Sequence, residues 1–125
     1  MTAKIPARNV AAKRVYEKPA AGDGKRVLVD RLWPRGVRRV DAKLDDWFRE
    51  IAPSAELRRW FDHDPRRWDE FRQRYRAQLA SQQEAVERLR RLAQAGKLTL
   101  LYGAKDERHN NAIALRDILI GRPGT

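Results

Sequence analysis

The stretch that most limits the fold of this chain is Leu98-Thr99-Leu100-Leu101-Tyr102, an almost unbroken apolar run between Gly96 and Gly103. A strand with one wet face alternates apolar and polar residues. A run without that alternation implies cover on both faces, as in an α/β sheet. Two more segments read as strands. Val10 to Tyr16 is the first, and Arg26-Val27-Leu28-Val29-Asp30 follows after the turn signal Gly22-Asp23-Gly24. Their link is shorter than the dozen or so residues of a parallel crossover, so the spacing predicts a hairpin. Leu32-Trp33-Pro34-Arg35-Gly36 then ends the second strand in a loop.

Helical spacing governs the middle of the chain. Leu44, Trp47, Phe48 and Ile51 predict one helix, and Ser54 is a suitable N-cap for a short second one carrying Leu57, Trp60 and Phe61. Asp64-Pro65 places an N-cap before a proline at the first helical position. Beyond it Trp68, Phe71, Tyr75 and Leu79 fall on one face of a long helix. A further helix carries Val86, Leu89, Leu92 and Ala93, with Glu84–Arg88 and Glu87–Arg91 as i,i+4 pairs and Gly96 at its end. The last helix turns Ala112, Leu115 and Leu119 inward. The fold class that follows is α/β: a small mixed sheet of about three strands, the second and last parallel, with helices packed on it.

With 125 residues the chain suits one domain, expected as a basic arm over 1–11, the body over 12–120 and a frayed tail over 121–125. There is no cysteine, which excludes thiol nucleophiles, thiolate zinc sites and disulfides and fits a reducing compartment. No apolar run reaches the roughly 20 residues that span a bilayer, and no secretory h-region opens the chain. Cytoplasmic residence and no membrane partner are the expectations. Lys and Arg number 28 against 17 Asp and Glu, a net charge of +11 that draws polyanions by counterion release and steering. Solubility and arginine-rich helix faces explain such a surplus equally well.

Two polar clusters follow the strands expected to be parallel, where α/β sheets bind ligands. One comprises Asp30, Arg31, Trp33 and Arg35, the other Tyr102, Lys105, Asp106, His109 and Asn110. Arg31, Arg35 and Lys105 suit phosphate or carboxylate, and Trp33 or Tyr102 suits stacking on a base. Asp30, Asp106 and His109 are the candidates for proton handling, and Asn110 for ligand binding. Each has a plainer role: an arginine partner for Asp30, a core plug for Trp33, capping for Asp106, local hydrogen bonding for His109. His63 is assigned to helix-start structure. With two histidines far apart, a metal site would lean on carboxylates, which favours transient Mg²⁺ over fixed Zn²⁺, and no metal ligand is assigned. GxGxxG, Walker A, GxSxG and HExxH are all missing, so NAD and the common hydrolase chemistries lack motif support. Arg66, Arg67, Arg72, Arg74 and Arg76 form either a basic stripe or, with Asp69 and Glu70 between them, a salt-bridged helix face.

Lys13-Arg14-Val15-Tyr16 and the run Asp30-Arg31-Leu32-Trp33-Pro34-Arg35-Gly36 resemble the opening of the YeaO-like family, domain of unknown function 488. The likeness continues through Leu57-Arg58-Arg59-Trp60-Phe61, His63-Asp64-Pro65, Trp68-Asp69-Glu70-Phe71, Ala104-Lys105-Asp106 and His109-Asn110. The resemblance implies a compact α/β sandwich and carries no established activity. Some members bear a uroporphyrinogen methyltransferase label, but this chain has no glycine-rich loop for S-adenosylmethionine. Gly103 stands where many relatives would carry alanine. Three readings compete: a phosphate-bearing ligand (a nucleotide or nucleic-acid end) in a strand-end cleft, with or without hydrolytic or transfer chemistry; sequence-tolerant nucleic-acid binding without catalysis; and a protein-interaction accessory domain.

Overall fold

The computed structural model describes residues 5–121, so the outer parts of the expected arm and tail lie outside the described residues. Its strands are β1 (Val10–Arg14), β2 (Lys25–Leu28), β3 (Asp46–Trp47) and β4 (Leu98–Tyr102), in the order β1-β4-β2-β3. Every pairing is parallel, with Val10 opposite Leu98, Lys25 opposite Leu98, and Val27 opposite Asp46. The helices are α1 (Arg39–Ala42), α2 (Ala55–Phe61), α3 (Trp68–Leu79), α4 (Gln83–Ala95) and α5 (Asn111–Leu119).

The α/β class, the parallel β2–β4 pair and the helices packed on the sheet agree with the sequence. All five residues of β4 are buried, as the unbroken apolar run requires. The expected hairpin does not form. β4 lies between β1 and β2, because it is the strand whose two faces and two edges all need cover. The segment from Val15 to Gly24 therefore returns along the sheet with no more than a 3₁₀ turn at Ala21–Asp23. Lys13 ties it down by donating to the Lys18 carbonyl at 2.8 Å and to the Asp23 carboxylate at 3.1 Å. Gly24 closes this return at φ 64°, where a Cβ would lie 2.3 Å from the Lys97 carbonyl oxygen. Only glycine fits there.

The helix expected over Leu44 to Ile51 is instead β3 and a 3₁₀ turn at Arg49–Ile51, preceded by the short α1 and a left-handed Lys43. Pairing with β2 overrides the helical spacing: Asp45 N–H donates to the Arg26 carbonyl, and the Arg26 N–H donates back to the Asp45 carboxylate. The sheet is thus four-stranded and wholly parallel among the described residues, not a mixed sheet of three.

One face of the sheet packs on the helices through Val10, Val27, Leu98, Leu100 and Tyr102. On α3, Phe71, Tyr75 and Leu79 are buried as predicted, while Trp68 is only partly so. The Tyr75 hydroxyl donates to the Ile51 carbonyl at 2.6 Å, pinning α3 to the turn after β3. The opposite face has no helix across its centre: Trp33, Val37, Leu44 and Trp47 cover Val15, Leu28 and Leu101. At its other end lies buried Arg26, which donates to Asp23 at 2.6 Å and to the Ala42 carbonyl at 2.8 Å. The expected Glu84–Arg88 pair is absent among the described residues, because Arg88 reaches Asp46. Glu87 pairs with Arg90 rather than Arg91.

A candidate anion site at the strand ends

Parallel strands deliver their carboxyl ends to one edge, and the loops after β2 and β4 meet there. Between them and α2 opens a cleft of about 590 Å³. Of the sequence-predicted residues, Asp30, Arg31, Trp33, Arg35, His109 and Asn110 line it. Lys105 does not. It lies exposed on the loop before α5, while its neighbour Ala104 takes the place in the wall. Tyr102 is also missing from the lining, since its side chain is buried against the helices. The expected convergence of Arg31, Arg35 and Lys105 is therefore an arginine pair without the lysine.

Asp30 forms the floor. Its Oδ2 accepts the Gly103 N–H at 2.8 Å and its Oδ1 the Asn111 amide at 3.2 Å, so one carboxylate joins the ends of β2 and β4 to the first turn of α5. Burial pushes its carboxyl above the usual range, against the Gly103 N–H, the Asn111 amide and the charge of Arg58, which pull it down. A Cβ on residue 103 would sit 3.3 Å from Oδ2, so the glycine gives this carboxylate its room.

Asp106 does not cap the last helix. Asn110 is the N-cap, accepting the Ile113 N–H at 3.0 Å, and its amide donates to the Asp106 carbonyl at 2.9 Å. The Asp106 carboxylate instead accepts the N–H groups of Arg108 and His109 and lies 2.9 Å from His109 Nδ1. Those bonds, first the Arg108 N–H, hold its carboxyl below the usual range. The other ring nitrogen, Nε2, has no partner among the described residues. The His109 ring packs edge-on to Trp68, centroids 5.4 Å apart.

Sequence reasoning missed the contribution of α2. Arg58 and Arg59 line the cleft, as do Asp62 and His63, whose φ angles are 48° and 53°. Two successive non-glycine residues in the left-handed region are costly and mark the mouth of the cleft. Arg58 is partly buried, with a fully buried Nε that has no hydrogen-bond partner. Four guanidinium groups therefore face two carboxylates in the lining. Arg31, Arg35 and Arg59 form no hydrogen bond or ion pair among the described residues. Those of α3 behave differently: Arg72 pairs with Asp69 and Arg74 with Glu70, and Arg66 before it pairs with Asp64. Between the two readings of that series, the salt-bridged face is the one present. The signal for Arg58 was visible only as part of Leu57-Arg58-Arg59-Trp60-Phe61, because its importance depends on where α2 packs.

A family profile described as the inactive DUF488-N3 subclade matches residues 9–123. The chain belongs to this subclade. Beside it stand the uncharacterized protein YeaO of Escherichia coli, 45% identical over 89% of this chain and 96% of that one. The uncharacterized protein Rv3073c of Mycobacterium tuberculosis is 40% identical over 90% of this chain and 95% of that one. No solved structure matches significantly. In this DUF488-N3 chain the matched span takes in every residue of the cleft. Among the described residues no helix is long and apolar enough to cross a membrane, and no three His, Asp or Glu side chains group as a metal-ligand set.

Proposed function

We propose that the strand-end cleft binds a phosphate-bearing ligand, a nucleotide or the end of a nucleic-acid strand, and that it holds this ligand without transforming it. The observation that carries the reading is Arg58, a partly buried guanidinium in the cleft lining with no carboxylate partner and a buried, unpartnered Nε, a trait that the Nε of Arg72 on α3 shares outside the cleft. An unsatisfied buried donor costs about 1–3 kcal/mol, more for a charged group, and a bound oxyanion removes that cost. Arg31, Arg35 and Arg59 surround it, their forks equally free of partners. The subclade's description as inactive supports binding over turnover. In this reading Asp30 shapes the floor, and Asp106 orients His109 as a ligand contact. The partner is then an anionic small molecule or nucleic-acid terminus of the cytoplasm, with Mg²⁺ entering only as a counterion of the phosphate.

Thermal melting tests this. A ligand that binds only the native state stabilises by about 2.7 kcal/mol at a hundredfold excess over its Kd. Ribose 5-phosphate should raise the melting temperature of the wild-type chain, and Arg58→Gln and Arg35→Ala should each abolish the rise. Arg35→Ala should leave the empty protein unchanged, because Arg35 is exposed and unpartnered. An identical rise in wild type and both variants would place the anion elsewhere.

A further inference from the structure

The cleft is much larger than an oxyanion, and its chemistry divides by depth. Its volume of about 590 Å³ lies within the roughly 300–1,000 Å³ of small-molecule sites. Part of the wall is apolar, from Pro34, Pro53, Phe61 and Phe71. The floor is rich in acceptors. Each Asp30 oxygen receives one internal hydrogen bond and keeps a lone pair for another. Asn111 directs its amide N–H groups to the Val29 carbonyl at 2.9 Å and to Asp30, leaving its own Oδ1 without a partner among the described residues. His109 also lines the cleft, its Nδ1 beside Asp106 and its Nε2 without a partner among the described residues. Apart from the arginines, the lining offers few free donors.

We propose that the cleft selects a nucleotide whose base presents adjacent N–H donors to Asp30, which among the common bases is guanine, with N1–H and the 2-amino group in line. The inference rests on the anion-binding reading and adds the base to it. A carboxylate accepts that donor pair through two parallel bonds, the geometry that makes carboxylate–guanidinium pairs directional. Adenine offers an acceptor at N1, and uracil presents two carbonyls around its single N–H, so each leaves a lone pair of the floor facing another. A site built to hydrogen-bond a group rejects analogues lacking it, because its buried polar atoms are then left unpaired. The apolar wall takes the ring, and the exposed Arg31, Arg35 and Arg59 take the phosphate.

Isothermal titration of the full chain with guanosine, adenosine, cytidine and uridine 5′-monophosphates, and with ribose 5-phosphate, tests the proposal. Guanosine monophosphate should bind at least about tenfold more tightly than adenosine monophosphate and ribose 5-phosphate, the range of one good bidentate contact. Asp30→Asn should erase that preference while retaining ribose 5-phosphate, whose binding it strengthens by removing a nearby negative charge. Should the variant not fold, the wild-type ranking alone decides. Equal binding of all five compounds would overturn the base assignment and leave the anion site standing. Binding of none would overturn both.

Discussion

Asp30 concentrates the tension between stability and binding in one residue. Its carboxyl is pushed up by burial, so the folded state holds the proton more tightly than the unfolded chain does. The stabilisation from that proton is complete below the unfolded pKa of about 3.9 and disappears as pH rises through the higher folded value. Above that value the ionised side chain weakens the fold. Asp30→Asn keeps an acceptor for the Gly103 N–H, loses the bond from the Asn111 amide and removes the buried charge, whose desolvation is the largest influence on this group, so the variant should melt a few degrees higher than wild type at pH 7. At pH 3, where the wild-type carboxyl is itself protonated, the difference should vanish. Melting curves of the two proteins across pH 3–8 check this. A wild type more stable than the variant at pH 7 would mean that ionised Asp30 is held by structural bonds alone. Asp30, Arg31, Trp33 and Arg35 were legible in the sequence because they follow a strand directly. Arg58 was not, because its burial depends on where a separate helix packs.

At the scale of elements, patterns set by a single segment and the parallel β2–β4 pair were readable, and the other strand pairings were not. The Phe71, Tyr75 and Leu79 face of α3 and the full burial of β4 follow from local sequence pattern. The short β3 does not, since two residues cannot announce a strand and its pairing comes from β2. The hairpin expectation failed for the same reason: link length says nothing about a third strand arriving between two others. The start of α5 joins element to site. Asn110 is 2% exposed, caps the helix and holds the Asp106 carbonyl, so it supports both α5 and the loop that positions His109. Asn110→Ala should cost about 1–2 kcal/mol by chemical denaturation, the upper part of the range for N-caps. Amide exchange should quicken over residues 106–113 with β1 unchanged. Loss limited to global stability, with that loop as protected as before, would show the cap to be independent of the site.

Over the whole molecule, some of the cations behind the +11 surplus are paired and others are not. On and before α3, Arg66, Arg72 and Arg74 are matched by carboxylates, and Arg26 within the sheet is matched by Asp23. Around the strand-end cleft, Arg31, Arg35 and Arg59 remain unmatched, with the buried Arg58 Nε among them. Net charge alone does not separate a polyanion-binding surface from a discrete anion site, and cations such as Arg76, Arg91 and Lys97 are also unpaired among the described residues; what favours the discrete site is that four arginines line one cavity. The most direct measurement is side-chain NMR of the arginine Nε–H groups in a ¹⁵N-labelled chain titrated with ribose 5-phosphate. The account predicts that the Arg58 Nε–H resonance shifts most and becomes protected from exchange, with Arg31 and Arg35 following and Arg66 and Arg74 unmoved. An unperturbed Arg58 beside shifting resonances from Arg66 and Arg74 would contradict it, placing the anion on the helix face and leaving the cleft without its ligand.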